Sequence, residues 1–134
     1  MVAIVMVSHS LKVAQGTREV ALQMAQADVS VVALGGTADG RLGNDPDLIR
    51  ETVEAAADGD GVVVLPDFGG SAMAVGMVVD MLPASLRNKV RVANAPFVEG
   101  AVAAVLQASL GDDLDGVLSM AESAIAVAAN KRGD

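Results

Sequence analysis

The chain contains no cysteine, no tryptophan and no tyrosine, and it has only two phenylalanines. Without cysteine it cannot form disulfides, attack through a thiolate or bind zinc through sulfur. Without a supply of aromatic rings it lacks the stacking platforms on which bases or sugars bind. Seventeen acidic residues against nine basic ones give a formal charge of −8, which repels nucleic acid. These shortages argue against thiol chemistry and nucleic-acid binding.

The chain also lacks a long apolar run. No segment approaches the roughly 20 residues of a membrane span, and the first residues resemble a strand rather than a signal peptide. The absence of cysteine is consistent with a reducing compartment, so we expect a cytoplasmic protein without a membrane partner. A length of 134 residues suits a single domain, residues 1–134, with a core of Val, Ala, Leu, Ile and Met.

Short apolar, mostly β-branched runs alternate with helical patterns along the chain. The predicted strands are residues 2–7, 29–34, 61–65 and 90–93. Apolar residues at helical spacing follow each strand, and a fifth helix ends the chain in the order βαβαβαβαα. Asp45 and Pro46 are expected to begin the second helix, and Asp112 or Asp113 the last. Along the third helix, a methionine stripe is expected to face the core: Met73, Met77 and Met81.

This alternation predicts an α/β fold, a doubly wound and mainly parallel sheet with helices on both faces. A strand order of 2-1-3-4 makes strands 1 and 3 neighbours at the point where the winding reverses. The crevice above their carboxyl ends is the usual binding site of such folds. Three loops are expected to open onto it: residues 8–10, 35–44 and 66–71.

His9 is the only histidine, and it directly follows the first strand. Asp67 directly follows the third strand, so the predicted order sets it opposite His9. A carboxylate there would accept a hydrogen bond from one ring nitrogen, fix the tautomer and make the other nitrogen a better nucleophile. The alternative is ordinary: His9 as an exposed side chain near a helix start, and Asp67 as a loop or capping carboxylate.

A glycine-rich turn follows Asp67 and leads into the third helix. The backbone N–H groups of Gly69 and Gly70, together with the helix dipole, suit a phosphoryl group. Hydroxyl donors for the same group are Ser8, Ser10 and Ser71. Glycines are common in any loop of this kind, however, and each serine could simply cap a helix.

The loop of residues 35–44, with Gly36 and Thr37, is expected to shape or cover the crevice, or to serve only as a connector. The chain has neither a phosphate-binding loop of the Gly-x-x-x-x-Gly-Lys-Ser/Thr type nor a Gly-x-Gly-x-x-Gly motif after the first strand. Lys12 is the only basic residue near His9, which argues against a histidine phosphatase. A single histidine also argues against a metal site, and we expect none.

Four groups of residues together resemble one known family over essentially the whole chain. They are Val7-Ser8-His9-Ser10, Gly35-Gly36-Thr37 with Asp39-Gly40, Asp67 with Gly69, and Lys89-Val90-Arg91 followed by Ala95-Pro96-Phe97-Val98-Glu99-Gly100. The family is that of the phosphotransferase subunits of bacterial dihydroxyacetone kinases. Its fold belongs with the mannose-type enzyme IIA domains of the phosphoenolpyruvate-dependent sugar phosphotransferase system.

The resemblance implies a phosphotransferase component with a phosphohistidine intermediate. His9 would accept a phosphoryl group from the histidine-containing phosphocarrier protein. It would then transfer the group to ADP held by the nucleotide-binding kinase subunit, regenerating the ATP that phosphorylates dihydroxyacetone. The chain itself would bind no cofactor, since ADP and ATP stay on the partner subunit. The resemblance also implies a homodimer.

The chain departs from the family pattern at three positions. Pro66 replaces an apolar strand residue and, because proline lacks an N–H, is expected to end the third strand one residue early. Gly70 stands where the family usually has Ser, and Asn44 where a Thr commonly follows the loop glycine.

Three other functions stay open from the sequence. A mannose-type enzyme IIA domain would pass its phosphoryl group to a sugar-transport IIB domain. A regulatory binding module would keep the fold with an idle His9. A tetrapyrrole metal chelatase also carries a His after its first strand, but it would need a second metal ligand of that kind.

Overall fold

The computed structural model describes residues 1–132, and residues 133–134 of the predicted domain lie outside the described residues. Strands and helices alternate as predicted, with one additional helix of four residues, α4. The elements are β1 (Ala3–Ser8), α1 (Leu11–Leu22), β2 (Val31–Gly35), α2 (Pro46–Ala56), β3 (Val62–Pro66), α3 (Gly70–Asp80), α4 (Ala84–Arg87), β4 (Val90–Val92), α5 (Phe97–Ser109) and α6 (Leu114–Ala129).

The four strands form a parallel sheet in the order β2-β1-β3-β4, which confirms the predicted order. Val5 of β1 pairs with Val32 of β2 on one side and with Val64 of β3 on the other. Because successive side chains of a strand point to opposite faces, the buried strand residues divide into two cores. Ile4 and Met6 lie in the core shared with α1, α5 and α6, whereas Val5 and Val7 pack in the core shared with α2 and α3.

Two predicted helix starts are present. The Asp45 carboxylate accepts a hydrogen bond from the Leu48 N–H, with Pro46 as the first helical residue of α2. Of the two candidates at α6, Asp113 is the cap, accepting from the Gly116 N–H. Within residues 1–132, no helix combines the length and the hydropathy needed to cross a membrane.

The expectation that Pro66 shortens the third strand is wrong. β3 continues through Pro66, which pairs with Val7 of β1. The Val62 N–H binds the Lys89 carbonyl, so the nitrogens of alternate β3 residues, Pro66 included, face the β4 side. The pairing of β3 with β4 ends at Val64 and Val92, so the N–H that Pro66 lacks lies beyond the paired residues of these two strands.

The expectation that the α3 methionines face the core is also wrong. Met73, Met77 and Met81 are 70%, 64% and 76% exposed. The helix buries Ser71, Val75 and Val78 instead. Residues 70–79 carry no charge, so hydrophobicity distinguishes the faces of this helix poorly. The smaller β-branched side chains of Val75 and Val78 therefore pack against the sheet. The three methionines, here named the methionine stripe, lie at the surface.

Candidate active site

His9 and Asp67 meet at the carboxyl edge of the sheet because their strands are neighbours. β1 ends at Ser8 and α1 begins at Leu11, which leaves His9 in the short turn between them. The Asp67 N–H donates to the Val7 carbonyl at 2.9 Å, extending the β1–β3 ladder by one bond. This bond brings the Asp67 side chain beside His9, as the strand order predicted.

The Asp67 carboxylate holds both the ring and the backbone of His9. Ring atom Nδ1 lies 3.0 Å from Oδ1 and 3.2 Å from Oδ2. The His9 N–H donates to Oδ2 at 3.0 Å, and the Ser8 hydroxyl donates to the same oxygen at 2.8 Å. Because an ionised carboxylate can only accept, this arrangement favours the tautomer with the proton on Nδ1 and a free lone pair on Nε2.

Hydrogen bonds keep Asp67 ionised. Partial burial, the largest single influence, raises the pKa of its carboxyl group, but four hydrogen-bond donors together outweigh it. They are the Ser71 hydroxyl, the backbone N–H groups of His9 and Phe68, and the Ser8 hydroxyl. The net effect lowers the pKa of Asp67 from 3.8 to about 2.

This shift predicts a pH-dependent contribution to stability. A carboxyl group with a lowered folded-state pKa stabilises the fold above pH 3.8 and loses that effect as the pH falls towards 2. Asp67→Asn removes the titrating group. We therefore expect the difference in unfolding free energy between wild type and Asp67→Asn to fall by about 2 kcal/mol from pH 5 to pH 2. Urea unfolding at both pH values measures it, and a constant difference would contradict the prediction.

Ser71 and Asn44 complete the surroundings of Nδ1. Ser71 is buried in the first turn of α3, and its Oγ lies 3.2 Å from Nδ1. Asn44 donates from Nδ2 to the Ser71 Oγ at 3.1 Å and to the Ser8 carbonyl at 3.3 Å. The sequence singled out Asn44 only as a departure from the family pattern. Its position at the end of a loop on the correct sheet edge was the one available signal.

The other ring nitrogen, Nε2, faces an open approach. A side chain at Gly70 would place its Cβ 3.2 Å from Nε2, so glycine leaves this space free. Among residues 1–132, the N–H groups of Gly69 and Gly70 have no protein acceptor. The Phe68 ring stacks on the imidazole with a centroid distance of 4.4 Å and an interplanar angle of 26°. Phe68 is 68% exposed, and the sequence did not predict this contact.

The three candidate serines have different surroundings. Ser8 and Ser71 are both buried against the His9–Asp67 pair, as described above. Ser10 instead caps α1, accepting a hydrogen bond from the Val13 N–H at 3.4 Å. Its own N–H donates to the Ser8 hydroxyl at 3.0 Å.

The loop between β2 and α2 is tied to His9 by its backbone. The Gly43 N–H donates to the His9 carbonyl at 2.9 Å, and the Gly36 N–H donates to the Gly43 carbonyl at 2.9 Å. The Thr37 N–H binds the Arg41 carbonyl within the loop rather than His9. A cleft of about 740 Å³ separates this loop from the start of α1, and His9 and Lys12 are among the residues that line it. The loop therefore forms one wall beside His9.

No group of three or more His, Asp or Glu side chains within residues 1–132 is arranged to hold a metal ion. The chemistry that the His9 site offers is that of an oriented imidazole. Its Nδ1 is fixed by the Asp67 carboxylate, and its Nε2 lies beside backbone N–H groups without a partner among the described residues.

Two solved structures resemble this fold. The crystal structure of a protein of unknown function, EF1359, matches with a TM-score of 0.81 and 31% sequence identity, covering 92% of this chain and 95% of that one. A sigma-54 interaction domain protein from Enterococcus faecalis matches with a TM-score of 0.72, covering 98% of this chain and 95% of that one. At 12% identity, the second match supports the fold alone.

Comparison of sequences identifies the family. Residues 3–118 match the family described as the PTS system fructose IIA component. The phosphoryl donor subunit DhaM of a PEP-dependent dihydroxyacetone kinase from Pantoea ananatis is 37% identical over 94% of this chain, and that from Escherichia coli K12 is 35% identical over 88%. This chain spans about a quarter of the length of those two relatives, 27% and 26%. A DhaM subunit of PEP-dependent dihydroxyacetone kinase 2 from Listeria innocua is 30% identical, and the match covers 88% of this chain and 94% of that relative. The chain belongs to the PTS fructose IIA component family and, within it, to the DhaM phosphoryl donor subunits.

Proposed function

We propose that His9 is a phosphoryl carrier that receives its group from the histidine-containing phosphocarrier protein and delivers it to ADP on a kinase subunit. The proposal rests on one observation, the different surroundings of the two ring nitrogens. Nδ1 is held by the Asp67 carboxylate at 3.0 Å, whereas Nε2 faces the space left open by Gly70. A ring oriented in this way is a prepared nucleophile.

The first transfer begins with the lone pair of Nε2. It attacks the phosphorus of the donor's phosphohistidine, forming a new N–P bond as the donor's N–P bond breaks and its electron pair returns to the donor ring. The His9 ring then carries positive charge, because Nδ1 keeps its proton. Asp67 stabilises this charge, and the N–H groups of Gly69 and Gly70 are the candidate donors to the phosphoryl oxygens.

In the second transfer, an oxygen of the ADP β-phosphate attacks the phosphorus. The N–P bond to Nε2 breaks, the lone pair returns to the ring, and ATP forms on the kinase subunit. The name shared by the relatives, phosphoryl donor subunit of a PEP-dependent dihydroxyacetone kinase, supports this acceptor. The chain would bind no nucleotide of its own, and phosphoryl transfer would require of it mainly positioning and charge stabilisation.

A second candidate acceptor is a IIB domain of a sugar-transport system. The description of the matching family as a fructose IIA component favours it. Both candidates share the first transfer to His9 and differ only in what discharges it.

An intact-mass measurement tests the proposal. The chain is incubated with phosphoenolpyruvate, enzyme I and the phosphocarrier protein, and the ADP-loaded kinase subunit is then added. We expect one acid-labile phosphoryl group that disappears as ATP forms. Phosphorylation that a sugar-transport IIB domain discharges but the kinase subunit does not would assign the chain to sugar uptake. A chain that never gains mass would be a binding module.

We also propose a homodimer, supported by the exposed methionine stripe, because large apolar side chains gathered on one helix face favour association. Light scattering on the purified chain should then give twice the mass of one chain. Met77→Glu, which brings a charge into the stripe, is expected to shift the population towards the single chain. A monomeric wild type at concentrations of about 100 μM, where even a micromolar dimer would be formed, would refute the proposal.

A further inference from the structure

We propose that Asn44 is a positioning residue that controls the tautomer of His9 through the Ser71 hydroxyl, a role that rests on the proposed carrier function of His9. In this role neither Asn44 nor Ser71 would contact the phosphoryl group. Asn44 would act by biasing the direction in which the single hydroxyl proton of Ser71 points, and thereby which ring nitrogen of His9 keeps its proton.

The orientation of the Asn44 amide follows from its partners. The Ser8 carbonyl can only accept, so the amide nitrogen Nδ2, 3.3 Å away, must face it. The same nitrogen lies 3.1 Å from the Ser71 Oγ and donates to it. The Asn44 Oδ1 lies 3.3 Å from that Oγ, within reach of the Ser71 proton. Asn44 therefore both supplies a donor to Ser71 and offers an acceptor for its hydroxyl hydrogen.

The position of the Ser71 proton matters because its oxygen lies only 3.2 Å from Nδ1 of His9. A Ser71 hydroxyl that donated to Nδ1 would stabilise the tautomer with a bare Nδ1 and the proton on Nε2. That tautomer has no lone pair on Nε2 and cannot attack phosphorus there. It would also set the bare Nδ1 lone pair against the Asp67 carboxylate, 3.0 Å away, with no proton between them. The Asn44 Oδ1 and the Asp67 carboxylate, to which the Ser71 hydroxyl also donates, both draw this proton away from Nδ1 and so favour the reactive tautomer.

The backbone on either side of Asn44 is held firmly enough to make this control effective. The preceding Gly43 donates to the His9 carbonyl at 2.9 Å, and the following Asp45 caps α2. The side chain of Asn44 is half-buried, and Ser71 is completely buried. Without the amide, the Ser71 hydroxyl keeps only the Asp67 carboxylate and Nδ1 of His9 as acceptors, so it would donate to Nδ1 more often.

The test combines ¹⁵N NMR of the imidazole with the rate of phosphorylation. Because the chain has one histidine, the ring signals need no assignment to a residue, and only Nδ1 and Nε2 have to be distinguished. We expect the wild type to be protonated on Nδ1, and Asn44→Ala to raise the fraction protonated on Nε2. The rate of phosphorylation should fall about tenfold, the kinetic equivalent of one hydrogen bond. Asn44→Thr, whose hydroxyl can both donate and accept, should recover most of the rate.

Two further variants separate positioning from a general effect on folding. In a Ser71→Ala background Asn44→Ala should have little additional effect, because the hydroxyl through which it acts is gone. Asn88→Ala makes the same substitution at an exposed site on the opposite edge of the sheet and should change neither tautomer nor rate. Thermal unfolding of each variant monitors the fold.

An unchanged tautomer ratio in Asn44→Ala, measured on folded protein, would overturn the role of Asn44. The role would also be overturned if Asn44→Ala lowered the rate by the same factor in the wild type and in the Ser71→Ala background. If the wild type takes no phosphoryl group while Asn44→Ala still changes the tautomer, the control of the tautomer is supported and the proposed function fails. The NMR readout therefore separates failure of the positioning role from failure of the carrier function.

Discussion

The His9→Ala variant is expected to acquire no phosphoryl group from phosphoenolpyruvate, enzyme I and the phosphocarrier protein, whereas the wild type gains one. The chain has no second histidine and no cysteine that could replace the lost nucleophile. The backbone N–H groups of Gly69 and Gly70 would still be present, but they can only stabilise a group that something else has bound. Intact-mass spectrometry under neutral conditions, which preserve phosphohistidine, measures the result.

The control for this variant is its fold. The His9 ring is partly exposed, and its backbone bonds to Asp67 and Gly43 do not need the side chain. Circular dichroism of His9→Ala should therefore match that of the wild type, with at most a modest change in stability. An acid-labile phosphoryl group on folded His9→Ala would show that the carrier residue lies elsewhere.

The second large effect is expected at Asp67. Asp67→Ala should slow phosphorylation of His9 by a factor on the order of 10² or more, because the ring loses both its orientation and the charge that stabilises the product. Asp67→Asn should be at least as slow. Its amide can donate to Nδ1 and leave the proton on Nε2, and the corresponding Asp→Asn change in a serine protease triad costs about 10⁴. Rapid-quench phosphorylation with saturating phosphocarrier protein measures the rate.

Asp58→Asn is the matched control for Asp67→Asn. Asp58 is exposed after α2, on the edge of the sheet opposite His9, so the same substitution there should leave the rate unchanged. Rates within threefold of wild type for both Asp67 variants would remove the carboxylate from the mechanism, even if His9 were phosphorylated.

Sequence alone predicted the elements that depend on alternation of apolar strands and helices. Four strands that each lead into a helix have few allowed connections, and the order 2-1-3-4 brought His9 and Asp67 to one edge. Their contact was predictable because each directly follows its strand, so neither position depends on the path of a long loop.

Other features depended on information that the sequence pattern does not carry. Asn44 reaches Ser71 only because of how the loop of residues 36–43 folds back onto the His9 carbonyl, and loop paths have no periodic signal. The sequence pattern assigned the methionine stripe to the wrong face because α3 is apolar on every side. Packing against the sheet, which the pattern does not show, determines which face is buried. The stacking of Phe68 on His9 likewise depends on the turn after β3.

The parallel order of the strands also has a consequence for how the chain becomes folded. β1, made first, lies between β2 and β3, and its contact with β3 joins residues such as His9 and Asp67, 58 positions apart. During synthesis β1, whose six residues are all buried in the finished fold, must therefore remain unpaired on one side until β3 has emerged. Such long-range pairing slows folding. Until it is complete, the unpaired edge of β1 can associate with other chains. Since His9 and Asp67 meet only when this pairing is complete, the site can form only after the centre of the sheet has closed.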